Sequence, residues 1–168
     1  MVSSKENVLF SLKARPRNIL DLYYFMREAV KEAEKGLIDG EVPIGAILIG
    51  HSHEILARDH NRCISLHDPS AHAEVLVIRQ AARLLKNYRL NGTTMFATIE
   101  PCPMCIGAII NARLDTLVFG AFDQKFGAAG SIYNLPDDRR LPHRLKVIAG
   151  IMEEECRELI QDFFRERR

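Results

Sequence analysis

The stretch GTTMFATIEPCPMCIGAIINAR, residues 92–113, changes from the pattern of a strand to that of a helix within a few positions. Residues 92–99 are mostly β-branched or apolar and predict a buried strand, and residues 103–113 predict a helix. Between the two lie Cys102 and Cys105, with a proline on either side of Cys102. A strand that leads directly into a helix is typical of layered α/β folds, so this stretch indicates the fold class.

The rest of the chain alternates between the same two patterns. Helical spacing of apolar residues is present at 21–38, 67–87 and 152–168. Strand-like apolar runs are present at 42–50, 54–59, 115–121 and 144–151. Pro69 and Ser70 predict the start of the second helix, and 54–59 is predicted to pair with 42–50 as a hairpin. Strands that alternate with helices predict an α/β domain in which at least part of the sheet is parallel.

Length and composition limit the class of protein. The chain has 168 residues, which fits one domain, and its 47% hydrophobic and 27% charged residues are typical of a globular protein. We find no apolar run near the roughly 18 residues of a membrane helix, and the first residues do not form a secretion signal. Four unevenly spaced cysteines indicate a reducing compartment, so we expect a cytoplasmic protein that does not enter a membrane.

The distribution of charge suggests two parts. Residues 1–20 hold four basic residues and one acidic residue, and we interpret them as a basic extension that precedes a domain at 21–168. The net charge of the whole chain is only +1. Any nucleic acid would therefore be held by local basic patches rather than by the charge of the whole surface.

The C-x-x-C pair has three possible roles when it is considered alone. Residues at i and i+3 share a helix face, so the Cys102 and Cys105 sulfurs can point at one atom. The start of a helix also favours the thiolate form, since its exposed N–H groups stabilise negative charge. These properties suit a redox pair or half of a zinc site, and two ordinary buried thiols remain a third possibility.

The triplet HAE at 72–74 favours zinc. His72 could be a cap or a core residue, and Glu74 could belong to a capping box, but Ser70 lies four residues before Glu74 rather than three. His72 with the two cysteines gives three zinc ligands and leaves the fourth position to water, as in catalytic zinc sites. H-x-E followed by P-C-x-x-C is the signature of zinc nucleobase deaminases.

The remaining histidines and cysteines of interest are predicted to lie outside this site. We interpret four of them as non-ligands, namely His51, His53, Cys63 and Cys156.

The signature also predicts a mechanism. Zinc would lower the pKa of a bound water molecule, and Glu74 would take its proton and deliver protons to the ring nitrogen and the departing amine. The N–H groups at the start of the 103–113 helix could stabilise the developing charge.

The chain also resembles a specific family, the bacterial-type tRNA adenosine deaminases. The similar stretches are EVPIGAIL (41–48), HDPSAHAE (67–74), NYRLNGTT (87–94), EPCPMC (100–105), VFGAFDQKFGAAGS (118–131) and DFFRERR (162–168). The resemblance implies a three-layer α/β/α cytidine-deaminase-like fold with a mixed five-stranded sheet. It also implies one Zn²⁺ per subunit, a homodimer, and conversion of adenosine to inosine at the wobble position of a tRNA anticodon.

The resemblance assigns roles to individual residues. His72, Cys102 and Cys105 would be the zinc ligands and Glu74 the proton shuttle. Asn61 would bind the flipped nucleoside, and Asp123 would contact its sugar. The residues expected to contact the anticodon stem-loop are Lys125, Phe163, Phe164, Arg165, Arg167 and Arg168. The chain departs from the family at Phe122, where many relatives have arginine.

Three other functions compete with this interpretation. A deaminase of a free base or nucleoside would share the zinc site, and only stretches 118–131 and 162–168 argue against it. A non-catalytic RNA-binding subunit would have no use for Glu74 as a proton shuttle. A thiol oxidoreductase would explain the C-x-x-C pair but not His72 and Glu74. The sequence therefore favours a zinc-dependent tRNA adenosine deaminase.

Overall fold

The computed structural model describes residues 19–167, with side chains from residue 21 onward. The predicted extension at 1–20 therefore falls almost wholly outside the described residues, and Arg168 does too. The helices are α1 (Ile19–Ile38), α2 (Ala73–Leu85), α3 (Pro103–Asn111) and α4 (Glu153–Arg165). The strands are β1 (Gly45–Ile49), β2 (Ile55–His60), β3 (Thr94–Ile99), β4 (Thr116–Ala121) and β5 (Lys146–Ala149). None of the helices in this range has the length and apolar character needed to cross a membrane.

The five strands form one mixed sheet in the order β2-β1-β3-β4-β5. β1 is antiparallel to both β2 and β3, while β3, β4 and β5 are parallel to one another. This arrangement brings the end of β2, the start of β1 and the ends of β3 and β4 to one edge of the sheet. We call this edge, which contains Gly45, His60, Ile99 and Ala121, the site edge.

Helices cover both faces of the sheet. On β1, Ala46 and Leu48 pack into the core formed with α2 and α3, whereas Ile47 and Ile49 pack into the core formed with α1 and α4. Successive strand residues point to opposite faces, so a strand buried on both sides is apolar throughout. The predicted three-layer α/β/α fold with a mixed five-stranded sheet is confirmed.

The second helix starts later than the sequence predicts, at Ala73 rather than near Ser70. The Asp68 carboxylate accepts a hydrogen bond from the Ser70 N–H at 2.8 Å, and the Asp68 carbonyl accepts one from Ala71. These bonds form a turn that competes with helix formation, as is common for aspartate. The turn makes His72 the residue that precedes the helix, which frees its ring to face the site edge.

Candidate active site

The two cysteines lie at the start of α3, on the site edge. Cys102 is the N-cap of the helix and has an extended backbone, and Pro103 occupies the first helical position. Proline suits that position because its missing N–H would have no partner within the helix. Cys105 lies in the first turn and is fully buried. The sulfur atoms of both residues can therefore face the same point, as the spacing predicts.

His72 completes a group of three potential metal ligands. Its Nδ1 atom lies 3.7 Å from the Cys102 Sγ and 3.5 Å from the Cys105 Sγ. A tetrahedral zinc ion at normal bond lengths separates a nitrogen and a sulfur ligand by roughly 3.6 Å, which both distances match closely. One nitrogen and two sulfur donors with a fourth position left over is the donor set of a catalytic zinc site. The geometry and chemistry of these residues therefore fit zinc.

The other candidates lie elsewhere. Among the described residues, His72, Cys102 and Cys105 are the only group of three or more histidine, cysteine or acidic residues that could hold a metal. Cys156 is a buried residue of α4 and packs into the core between α1 and the sheet, on the opposite face from α2 and α3. That Cys63, His51 and His53 are not ligands stays a prediction.

The pKa values of the two thiols are shifted in opposite directions. A hydrogen bond from the Cys105 thiol, together with one from His72, lowers the pKa of Cys102 to about 4, although burial acts in the other direction. The same contact with Cys102, together with burial, raises the pKa of Cys105. The hydrogen bond to Cys102 also raises the pKa of His72. Cys102 is thus a thiolate at neutral pH, which is the form that binds metals.

Glu74 lies next to this group, in the first turn of α2, with only 2% of its surface exposed. Burial raises the pKa of its carboxyl, because the ionised form loses its hydration. The Cys105 thiol is a hydrogen-bonding neighbour of the carboxylate. A carboxyl group with a raised pKa beside a metal-ligand group is suited to carry protons.

Asn61 follows β2 and is buried against the start of α2. Its Oδ1 atom accepts a hydrogen bond from the Ala73 N–H at 2.9 Å. The amide group therefore has a fixed orientation, with the oxygen toward the helix and the nitrogen away from it. No residue in the part of the chain described accepts a hydrogen bond from that Nδ2 atom. Asn61 thus offers an amide donor next to the start of α2, where Glu74 lies.

Glu100 organises the loop after β4, and sequence reasoning missed this role. Its Oε1 accepts hydrogen bonds from the Ala129 and Ser131 N–H groups at 2.9 and 3.0 Å, and its Oε2 accepts one from the Asp123 N–H at 3.1 Å. The Ser131 hydroxyl donates a fourth bond. The available signal was a glutamate at the end of an apolar strand, followed after the next strand by a loop of small residues, GAAGS (127–131).

Asp123 and Lys125 lie in this loop. The Asp123 Oδ1 accepts hydrogen bonds from the Lys125 and Phe126 N–H groups at 2.8 and 3.2 Å. One carboxylate oxygen therefore shapes a turn, while the Lys125 side chain is exposed. The Ala128 N–H donates to the carbonyl of Pro101, so the loop is tied directly to the cysteine turn.

The chain is similar to known proteins. A family model described as MafB19-like deaminase matches residues 21–168. The tRNA-specific adenosine deaminase of Bacillus subtilis (strain 168) is 47% identical over 144 residues, which cover 86% of this chain and 89% of that protein. The chain belongs to the tRNA-specific adenosine deaminase family.

Solved structures support the same assignment. A structure from a study of A-to-I editing by tRNA deaminases at the wobble position of transfer RNA has a TM-score of 0.78 and 40% identity. The match covers 81% of this chain and 98% of that structure. A guanine deaminase from Bacillus subtilis is 37% identical, with a TM-score of 0.56 over 59% of this chain and 63% of that one.

The two adjacent phenylalanines of the C-terminal helix lie in different environments. Phe163 is 4% exposed, whereas Phe164 is 50% exposed. The Arg167 guanidinium lies 3.9 Å from the centre of the Phe163 ring and donates to the Gly40 carbonyl at 3.3 Å. Arg165 pairs with the neighbouring Asp162. The end of α4 is thus attached to the loop before β1 and not to the metal-ligand group.

Proposed function

We propose that this protein deaminates adenosine to inosine at the wobble position of a tRNA anticodon. The observation that supports this most directly is the meeting of His72, Cys102, Cys105 and Glu74 at one edge of the sheet. It occurs in a chain whose relatives are tRNA-specific adenosine deaminases. We infer that the three ligands hold one Zn²⁺ per subunit.

The reaction exchanges the 6-amino group of adenine for an oxygen atom from water. A zinc ion held by the three ligands would lower the pKa of water, so that hydroxide is available near neutral pH. Glu74 accepts the proton that this water releases and passes it to N1 of the ring as the C6–O bond forms. Glu74 then carries the second water proton to the amine as the C–N bond breaks, and ammonia leaves.

Two groups prepare the site for a purine. Asn61 donates from Nδ2 to an acceptor atom of the extruded base, because its oxygen is already bonded to Ala73. The loop that contains Asp123 and Lys125 lies on the other side of the cysteine turn, attached to Pro101. We infer that Asp123 contacts the ribose with its second carboxylate oxygen and that Lys125 contacts a phosphate.

The C-terminal helix supplies the remaining RNA contacts. Phe164 is exposed and available to stack on a neighbouring base. Phe163 is instead packed under the Arg167 guanidinium, so we infer that it acts on RNA only by positioning Arg167. Arg165, Arg167 and Arg168 add positive charge at the end of the chain, and we infer that they face the anticodon-loop phosphates.

The proposal includes a homodimer and a cytoplasmic location. Ile64, Leu66 and Met104 are large apolar side chains that stay exposed close to the site edge. Large exposed apolar side chains are often covered at interfaces, and we infer that a second copy that borders the site covers these three. We also propose that residues 21–168 form the deaminase domain and that residues 1–20 are a basic extension outside it.

The test is deamination of an anticodon stem-loop that carries a wobble adenosine. We expect inosine in this RNA and none in a matched control stem-loop that lacks the wobble adenosine and has adenosines only in its stem. Free adenosine, cytidine and guanine should remain unchanged. Turnover of guanine with an untouched stem-loop would contradict the proposal and favour the activity of the guanine deaminase that shares this fold.

A further inference from the structure

The edge of the sheet opposite the site edge carries a continuous basic surface. We call it the basic edge and define it by three loops, 86–93, 112–115 and 137–146. The Leu90 N–H donates to the Ala112 carbonyl at 2.7 Å, and the Arg113 guanidinium donates to the Pro142 carbonyl at 2.7 Å. The three loops are therefore held together as one surface.

Positive charge is concentrated there. The basic edge contains three acidic residues and seven basic ones, which are Lys86, Arg89, Arg113, Arg139, Arg140, Arg144 and Lys146. The remainder of residues 21–168 contains 12 basic and 18 acidic residues. Residues 21–168 as a whole are slightly acidic, so the basic edge is a local patch whose charge differs in sign from that of the rest of the domain.

Most cations of the basic edge also lack an acidic partner, unlike most cations elsewhere in the described residues. Within residues 21–167, only Arg140 of the seven forms an ion pair, with Asp138. Seven of the other eleven described lysines and arginines form ion pairs, and these are Lys31, Lys35, Arg58, Arg62, Arg79, Arg157 and Arg165. Cations that are not neutralised within the protein remain available to a polyanion.

Two features of the basic edge suit RNA. A cavity of about 390 Å³ lies between Arg144 and Lys146, with Asp115, Thr116 and Leu145 as its other walls. Tyr88 is 68% exposed, and the Arg89 guanidinium lies 5.4 Å from the centre of its ring. Cations that bind phosphates, beside an exposed aromatic ring that can stack on a base, are a common arrangement in RNA-binding proteins.

We propose that the basic edge is a second RNA-binding surface that holds the phosphodiester backbone of folded RNA. The choice of RNA rests on the proposed function. The six residues of β3 separate this surface from the metal ligands by roughly 20 Å, so it contacts RNA outside the anticodon loop. We infer that this RNA is the body of the tRNA substrate.

Binding of labelled RNA at several salt concentrations tests the proposal. The variant Arg144→Ser/Lys146→Ser removes two cations at the cavity. We expect the slope of log K against log salt for full-length tRNA to fall in magnitude by about 1.8, because two phosphate contacts are lost. The matched control Arg27→Ser/Lys31→Ser removes the same charge from α1 and should leave the slope unchanged.

A second pair guards against local misfolding. Arg89→Ser/Arg139→Ser removes two cations of the basic edge whose side chains make no hydrogen bond within the described residues, and it should lower the slope by a similar amount. If full-length tRNA is affected and an unrelated duplex RNA is not, the surface holds the substrate. Equal effects on both RNAs would show a surface that binds RNA in general and would overturn its assignment to the body of the tRNA. Edge variants that bind like the α1 control would overturn the proposal.

Deamination of the isolated stem-loop separates this inference from the proposed function. The edge variants should deaminate it at the unsubstituted rate, since the stem-loop contacts only the site edge. A protein that binds tRNA through the basic edge and deaminates no stem-loop would refute the proposed function and leave the second RNA surface standing.

Discussion

Glu74 and Glu100 are both buried beside the metal-ligand group, and each lies two residues from a ligand, yet their carboxylates have different neighbours. Glu74 follows His72, and its hydrogen-bonding neighbour is the Cys105 thiol. Glu100 precedes Cys102, and its two oxygens accept four hydrogen bonds from the loop after β4. A carboxylate that holds no loop in place is free to exchange protons, whereas one that accepts four hydrogen bonds from a loop is fixed in position.

The largest expected effect concerns Glu74. Glu74→Gln keeps the size of the side chain but removes its ability to accept a proton, so we expect deamination to fall by about 10²- to 10⁴-fold. Metal content, measured by elemental analysis, should stay at that of the unsubstituted protein. Loss of the metal would show that Glu74 is a ligand and would contradict its assignment as the carboxylate that exchanges protons.

The next effect concerns Glu100. Glu100→Gln places an amide N–H₂ against donors of the loop, so we expect the free energy of unfolding to fall by about 3 kcal/mol. Urea denaturation of this variant and of the exposed Glu158→Gln control measures the difference. The comparison would fail if Glu100→Gln kept full stability and lost as much activity as Glu74→Gln.

The contact between Glu100 and Gly127 gives a smaller effect. A Cβ atom at Gly127 would lie 2.3 Å from the Glu100 Oε2 and 2.5 Å from the Asp123 carbonyl. We expect Gly127→Ala to lower the free energy of unfolding by about 1 to 3 kcal/mol. Gly107→Ala in α3 meets no atom within 4 Å and should raise it by about 0.5 to 1 kcal/mol, as alanine favours helices. Equal effects of the two substitutions in thermal or urea unfolding would show that the loop simply moves aside.

The smallest effect depends on pH and concerns a third buried glutamate. Glu41 accepts hydrogen bonds from the Ser65 and Ile64 N–H groups at 2.7 and 3.1 Å. Burial opposes its ionisation, but these bonds outweigh burial and lower the pKa of Glu41 below the ordinary 4.5. Its stabilising effect is therefore present above pH 4.5 and is lost as the pH falls through the lowered value.

Glu41→Gln should consequently cost about 1 to 2 kcal/mol at pH 7 and less at pH 3.5. Urea denaturation of both forms at the two pH values measures this change. A stability difference that widens on acidification would mean that Glu41 is stabilised as the protonated acid, as Glu74 is.

The same contrast explains what sequence could predict. The metal-ligand group depends on local spacing, because Cys102, Cys105 and His72 each lie at the start of a helix, and short patterns encode such positions. The fold followed from the alternation of strands and helices. The role of Glu100 depends on contacts with residues 23 to 31 positions away, which no local pattern shows.

Details that depend on competition between local bonds were also hidden. The turn formed by Asp68 delays the start of α2 to Ala73, although Pro69 and Ser70 resemble a helix start. In the pair at 163–164, both residues are phenylalanine, and only the packing of α4 decides that Phe163 is buried and Phe164 exposed. Identical side chains carry no signal about which of them faces the core.

The contact of Arg167 with Phe163 and Gly40 has a practical consequence for engineering. Gly40 directly precedes Glu41, which holds the loop after Asn61, so Arg167 near the end of the chain is linked to that loop by consecutive contacts. A purification tag or fusion partner joined directly after residue 168 would begin next to these contacts of Arg167. We therefore expect a fusion with a flexible spacer to preserve them better than a fusion without one.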